Sequence, residues 1–207
     1  MRRRHSEGLT SIRAAFRRHG GIMRTVDAKR LGIHPQTLYR MRARGDVEQL
    51  ARGLYCLRGL PSLSRPDLVS VSLKLPRGVI CLISALAFHT LTTQVPHQIY
   101  VALPRGAEPP RLPWPPLRIF WFSEPAFSAG VEIRKLEGIP IRAYGPEKTI
   151  ADCFKYRNKI GLDVALEALK LYLKRKPIKT DELTRYATTC RVGKIIRPYL
   201  EALLFRP

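Results

Sequence analysis

The stretch of residues 21–57 constrains the fold most, because two short helix patterns and a hairpin pattern follow one another there with only tight turns between them. Thr25 stands where a hydroxyl side chain can cap a first short helix. Gly32 is the residue type that ends such a helix in the left-handed conformation without strain. Pro35 suits the first turn of a second helix, since that position needs no N–H. Two short helices joined by so short a turn predict a helix-turn-helix.

The second helix of this pair, residues 35–44, has one apolar and one polar face. Leu38 and Met41 are three residues apart and share the inner face. Four side chains can point outward: Gln36, Thr37, Arg40 and Arg44. We predict that these four residues contact DNA, with Arg40 suited to guanine and Gln36 to adenine.

A basic hairpin pattern follows the second helix. Residues 47–50 and 54–56 have the composition of short strands, and Ala51, Arg52 and Gly53 join them. A basic residue beside a glycine at a hairpin tip suits a wing that lies along a phosphate backbone. The segment therefore predicts a winged helix-turn-helix, and we include Arg52 and Thr25 among the expected DNA contacts.

Charge supports a nucleic-acid partner. The 207 residues carry 37 lysines and arginines against 16 acidic residues, a formal net charge of +21, and the isoelectric point is near 10.6. Residues 1–57 hold 13 of these basic residues against 4 acidic ones, so the N-terminal part is about twice as charge-dense as the remainder. Such a chain favours a polyanion. Charge alone does not separate DNA from RNA or from an anionic membrane.

The N-terminus begins with an arginine-rich arm, residues 1–5. We expect it to be either an unstructured tail or an arm that places Arg2, Arg3 and Arg4 in the minor groove. Ser6 can cap a helix that continues to His19.

The rest of the chain predicts a second domain. Prolines and serines at residues 60–66 indicate a boundary, so we expect a DNA-binding domain over residues 1–60 and an α+β domain over residues 61–207. Strand patterns occupy the first part of this second domain, and residues 146–205 are helical. The predicted fold class is α+β: a winged helix-turn-helix followed by a mixed α/β domain that ends in a helical bundle.

Composition also bears on location and cofactors. The four cysteines are too scattered for a disulfide framework or a metal motif, which fits reduced thiols in a cytoplasmic protein. The histidines show no metal spacing, and the longest apolar run is too short to span a bilayer. We expect no cofactor, no metal and no membrane association. The sequence leaves the oligomeric state open.

An enzyme is the main alternative class. A metal-dependent nuclease needs clustered carboxylates, and only Asp67, Glu132 and Glu147 are placed to converge. None of them begins an acidic-x-Lys motif, because Glu132 is followed two residues later by Arg134. The chain also lacks a glycine-rich phosphate loop and a serine elbow, so we predict that it is not an enzyme. An RNA-binding protein is a third possibility, for which no aromatic stacking platform is evident.

Three segments carry a resemblance to a known family: Arg52-Gly53-Leu54-Tyr55, residues 83–89 (ISALAFH) and residues 149–157 (TIADCFKYR), which runs into residues 159–163. Over residues 8–205 the chain resembles the AbiEi antitoxins of type IV toxin–antitoxin systems. The resemblance implies a bacterial protein that represses its own promoter by binding operator repeats in double-stranded DNA. It also implies a nucleotidyltransferase-like toxin as the functional partner, countered without a stable complex. Members of the family also occur as orphan regulators on mobile elements, so this alternative and a nuclease of viral defence stay open.

Overall fold

A computed structural model describes residues 2–59, 65–112, 114–136, 138–175 and 177–204, with the backbone alone for residues 2–9 and 51. The chain forms two compact units, Met1–Lys74 with Lys135–Pro140 and Leu75–Arg134 with Ile141–Pro207. Their helices and strands make the fold α+β, with a winged helix-turn-helix at the N-terminus, as predicted. The predicted boundary between residues 1–60 and 61–207 stays a prediction, and residues 60–64 lie outside the described part.

The first unit is built around a small sheet. Its helices are α1 (Arg2–Arg18), α2 (Thr25–Arg30), α3 (Pro35–Ala43) and α4 (Pro66–Lys74), and its strands are β1 (Ile22–Arg24), β2 (Val47–Ala51) and β3 (Leu54–Leu57). The strand order is β1-β3-β2, and both pairs are antiparallel, so that Tyr55 lies opposite Met23 on one side and Gln49 on the other. Phe16 from α1 and Leu38 from α3 are completely buried in its core.

Glycines end both helices of the helix-turn-helix, as expected. Gly32 after α2 and Gly45 after α3 have φ of +74° and +76°, which side chains with a Cβ rarely adopt. The next residue after Gly45 closes the turn, because the Asp46 N–H donates to the Met41 carbonyl at 2.8 Å. The two turns therefore fix where α3 begins and ends.

The structure differs from the expectations for this unit at three places. The first helix begins at Arg2, so Ser6 lies inside it instead of capping it, and the backbone of residues 2–5 is helical instead of forming an unstructured tail or an arm. Strand β1 was not expected, because three residues are too few to show an alternating pattern. Thr25 is the first residue of α2, and the cap position belongs to Arg24, which makes no side-chain capping bond.

The second unit contains a five-stranded sheet and most of the helices. Its strands are β4 (Val79–Ile80), β5 (Ile99–Pro104), β6 (Leu117–Phe122), β7 (Val131–Leu136) and β8 (Ile139–Tyr144), although the end of β7 and the start of β8 fall in the segment counted with the first unit. Its helices are α5 (Leu82–Phe88), α6 (Glu124–Ser128), α7 (Pro146–Lys155), α8 (Arg157–Ile160), α9 (Leu162–Leu173), α10 (Thr180–Thr189) and α11 (Gly193–Leu204). The strand order is β6-β5-β4-β8-β7, so β6 and β7 are the edges of the sheet. Strands β5 and β6 are parallel, as are β4 and β8.

Helix α7 lies at the centre of this unit. Every residue from Glu147 to Phe154 is buried, which is the pattern of a helix covered on all sides. Three of the enclosed residues are acidic or basic, namely Glu147, Lys148 and Asp152. Each has a partner: the Tyr172 hydroxyl donates to Glu147 at 2.7 Å, and Lys148 Nζ lies 2.5 Å from Asp152 Oδ2.

The predicted elements of this unit are largely present, and the differences lie at their ends. Helix α5 begins at Leu82, so Ser84 is not its cap; the Ser84 hydroxyl instead accepts from the Tyr100 N–H at 2.9 Å. Helices α6 and α8 were not expected, because five and four residues are too few to show helical periodicity. The predicted end of α9 at Lys176 lies outside the described residues. The observed helix stops at Leu173.

Candidate nucleic-acid interface

Helix α3 separates its buried and exposed side chains sharply. Leu38 and Met41 are 0% and 1% exposed, and they hold the helix against the core of the first unit. Gln36, Arg40 and Arg44 are exposed, whereas Thr37 is half-buried. The helix and its C-terminal cap residue Arg44 therefore expose three of the four predicted DNA contacts.

The arginines of α3 differ in their partners. Arg42 donates to the Gln49 side chain on β2 at 2.6 Å, so it joins α3 to the hairpin. Arg40 and Arg44 form no ion pair with any carboxylate whose side chain the structure describes. The nearby acidic side chains already form ion pairs with other arginines. Asp46 pairs with Arg13, Asp27 with Arg24 and Arg30, and Glu48 with Arg58.

The start of α3 is held by a residue that the sequence did not single out. His34 occupies the cap position, and its Nδ1 accepts from the Gln36 N–H at 3.3 Å. Pro35 follows as the first helical residue, as predicted. The cap fixes the backbone of Gln36, the first exposed polar side chain of the helix.

Tyr39 is a second residue that the sequence did not single out. It lies on the same turn as Arg40, and 57% of its surface is exposed. An aromatic side chain is expected to face the core. Because Tyr39 is exposed on this polar face, which only the structure shows, we include it in the candidate DNA-binding surface.

The hairpin of β2 and β3 forms the wing. Its tip is Arg52-Gly53, with Gly53 at φ +74°, and the register shifts between Gln49 and Ala51. Arg52 is exposed. The Thr25 N–H donates to the Gly53 carbonyl at 2.9 Å, so the structure brings Thr25 and Arg52, two predicted contacts, to the same place.

Helix α4 also reaches this tip. Arg24 donates to both oxygens of Asp27 at 2.6 and 3.0 Å and to the Leu73 carbonyl at 3.1 Å. The hydrogen bonds between Arg24 and Asp27 raise the pKa of Arg24 and lower that of Asp27. Because the clamped carbonyl is next to Lys74, this lysine is held close to the wing.

Lys74 extends the basic surface of the wing. Burial, and secondarily the positive charge of Arg52, lower the pKa of Lys74. Nothing in the sequence marked Lys74, because it belongs to a separate helix beyond the predicted boundary. Arg2, Arg3 and Arg4 lie in the first turns of α1, and their side chains are outside the described residues.

Among the described residues, no group of three His, Cys, Asp or Glu side chains is placed to hold a metal ion. No described helix is both long enough and apolar enough to cross a bilayer. The four cysteines are free, and three of them are buried.

Comparison with known proteins bears on the first unit. Residues 11–58, which contain α2, α3 and the wing, match the family model described as "Transcriptional regulator, AbiEi antitoxin". The match covers this segment of the chain. The resemblance predicted from the sequence is thereby confirmed for the part of the chain that includes the predicted DNA contacts of α2, α3 and the wing.

Two further comparisons concern the whole chain. It resembles the crystal structure of the RV2827C protein from Mycobacterium tuberculosis, with a TM-score of 0.52 and 14% identity, over 91% of this chain and 79% of that one. At this identity the likeness shows a common fold alone. A search of the curated proteins found no match.

Proposed function

We propose that this chain is a cytoplasmic DNA-binding repressor of its own operon and the antitoxin of a type IV toxin–antitoxin pair. The observation that carries the proposal is the exposed face of α3, which lies beside a basic wing. No carboxylate that the structure describes pairs with Gln36 or Arg40 on this face. Residue types of this kind contact base edges in the major groove, whereas a basic hairpin tip suits phosphates. The AbiEi match over the same residues supports the regulatory role.

The proposed division of contacts follows from position. Gln36, Arg40 and Tyr39 face base edges, and Thr37 and Arg44 lie at the margins of the same helix. Thr25, Arg52 and Lys74 hold phosphates at the wing, and Arg2, Arg3 and Arg4 add phosphate contacts from the start of α1. The partner is double-stranded operator DNA that contains repeats.

Arg40 provides the direct test of DNA recognition. Arg40→Ala in the full-length chain removes an exposed side chain that makes no described core contact, so the fold is retained. Binding to the operator should weaken by about 1–3 kcal/mol, with much less effect on random DNA, if Arg40 pairs with a guanine. Lys170→Ala, an equal loss of charge at an exposed residue of α9, is the matched control and should change neither affinity. An equal loss of affinity for the operator and for random DNA would show that Arg40 contacts a phosphate and not a base.

The proposed antitoxin activity needs a separate assay. We propose that the chain counters a nucleotidyltransferase-like toxin without forming a stable complex with it. Co-expression with the toxin encoded beside it, scored by colony formation, should show protection by the wild type and by Arg40→Ala alike. Protection by neither protein, together with intact operator binding, would favour the alternative of an orphan regulator on a mobile element.

A nuclease of viral defence is the remaining alternative, and the carboxylates argue against it. Glu147 accepts from the Tyr172 hydroxyl, and Glu132 pairs with Arg134 at 2.8 Å, so both are engaged within the fold. Incubation of the purified protein with DNA and RNA in the presence of Mg²⁺ should yield no cleavage. Cleavage that a chelator abolishes would replace the regulatory proposal with an enzymatic one.

A further inference from the structure

Helices α10 and α11 leave a groove between them on the surface of the second unit. The groove has a volume of about 520 Å³. Ala187 from α10 and Ile196 from α11 are buried at its base, and Leu200 and Leu204 continue its apolar lining along α11. Leu204 is 44% exposed, so the part of the chain that the structure describes does not cover this apolar surface completely.

One row of side chains on α11 faces the groove. Four of the residues of α11 that line it recur at intervals of four, three and four: Gly193, Arg197, Leu200 and Leu204. This spacing places them along one side of the helix, as in helices that pack side by side over several turns. A Cβ added at Gly193 would meet nothing within 4 Å, so this end of the row borders open space. The row therefore has a hollow at Gly193 and a projecting side chain at Leu204.

A second copy of α11 in the antiparallel orientation is complementary to this row. With a two-fold axis near residues 198 and 199, Leu204 of each copy lies over Gly193 of the other copy, so the projection meets the hollow twice. The same register places Arg197 of each copy beside Leu200 and Glu201 of the other. Shape therefore selects one orientation and one register.

The charges of α11 agree with this register. Lys194 and Arg197 lie in the first half of the helix and Glu201 in the second half, so an antiparallel copy sets cations against a carboxylate on both sides of the axis. Arg197 donates to Glu201 within the helix at 2.7 Å, but the two side chains are 78% and 52% exposed, and such pairs contribute little to stability. No carboxylate that the structure describes pairs with Lys194.

We propose that two copies of this chain associate through α11, each helix lying in the groove between α10 and α11 of the other copy. The interface is isologous, because the same surface serves both copies. It covers little more than one helix and one groove from each copy, which is typical of weak, reversible association. The proposed dimer uses none of the residues assigned to DNA and does not rest on the proposed function.

Sedimentation velocity of the full-length protein without DNA, from about 1 to about 300 μM, tests the dimer. The wild type should shift from monomer towards dimer as its concentration rises. Arg197→Glu and Glu201→Arg each set like charges against one another across the axis, and each should raise the dissociation constant about tenfold or more. Leu204→Ala should also raise it about tenfold through lost apolar contact. The two charge reversals change the net charge in opposite directions, so long-range repulsion cannot explain a loss in both.

An equal mixture of the Arg197→Glu and Glu201→Arg chains is the decisive sample. Opposite charges face each other again in the mixed dimer, so the mixture should dimerise more tightly than either variant alone. Lys170→Glu makes the same change of charge as Arg197→Glu at an exposed residue of α9 and should not weaken the dimer.

Three results would overturn the proposal. The first is a wild-type chain that stays monomeric over the whole concentration range. The second is a mixture that associates no more tightly than its two components while both retain their circular dichroism. The third is an equal loss in Lys170→Glu and Arg197→Glu, since it would show that association does not depend on the charges of α11.

Discussion

Replacing Asp152 by asparagine removes the carboxylate that pairs with a completely buried lysine. Lys148 Nζ lies 2.5 Å from Asp152 Oδ2, and both side chains are 0% exposed. The ammonium also lies 4.1 Å from the ring centre of Tyr144 and 5.0 Å from that of Phe122. These rings attract a cation, but they do not replace a carboxylate in an interior of low dielectric. We expect the unfolding free energy of the second unit to fall by about 3–5 kcal/mol.

The paired replacement should behave differently. Burial raises the pKa of Asp152, which reflects the penalty for a charged carboxyl in the interior, although Lys148 and the Cys190 thiol at 3.2 Å both favour the carboxylate. Lys148→Met combined with Asp152→Leu removes both charges and this penalty together. The double variant should therefore lie within about 2 kcal/mol of the wild type, far above the Asp152→Asn variant.

Tryptophan fluorescence makes the measurement specific to one unit. The sequence has two tryptophans, Trp114 and Trp121, and both belong to the second unit. With a urea dependence of about 2 kcal/mol per molar, the midpoint for Asp152→Asn should fall by about 1.5–2.5 M. A loss below about 1 kcal/mol, or a double variant less stable than the sum of the two single losses, would refute the interpretation of a charged, mutually compensating pair.

Three further outcomes are expected. Arg52→Ala and Lys74→Ala should each make the slope of log affinity against log salt shallower by about one unit, and an unchanged slope for Lys74→Ala would remove it from the DNA surface. Deleting residues 1–4 should make the slope shallower by roughly one to three units if their arginines contact phosphates, and no change would exclude those contacts. Burial lowers the pKa of His89, whose Nε2 donates to the Tyr144 carbonyl at 2.7 Å, so the unfolded chain binds a proton more readily. Stability of the second unit should thus fall as the pH drops below about 6.5, measured by urea unfolding, and His89→Gln should flatten this dependence.

The sequence was most informative where local chemistry decides the structure. Pro35, Gly32 and Gly45 set the ends of the helix-turn-helix through their own backbone preferences, and these positions were correct. The exposed face of α3 followed from the spacing of its two apolar residues. Such features depend on neighbours within a few residues, so they can be inferred from sequence alone.

The remainder depends on distant partners. Thr25 did not cap α2, because Arg24 occupies that position and its side chain is drawn to Asp27 and Leu73. Ser84 did not cap α5, because its hydroxyl bonds to strand β5. Lys74 became a candidate contact only through a hydrogen bond that spans 49 residues. No local pattern records these contacts, which form only after the chain has folded.

The bond between Thr25 and Gly53 has a consequence for operator geometry. The wing is anchored to the first helix of the helix-turn-helix at 2.9 Å, so its tip is not a freely swinging loop. Little conformational entropy remains to be lost when it meets a phosphate, which favours tight binding. The same anchoring keeps the distance between the wing and α3 constant. One base pair inserted between the two contacted positions displaces them by about 3.4 Å and about a tenth of a helical turn, which a rigid pair of elements cannot follow.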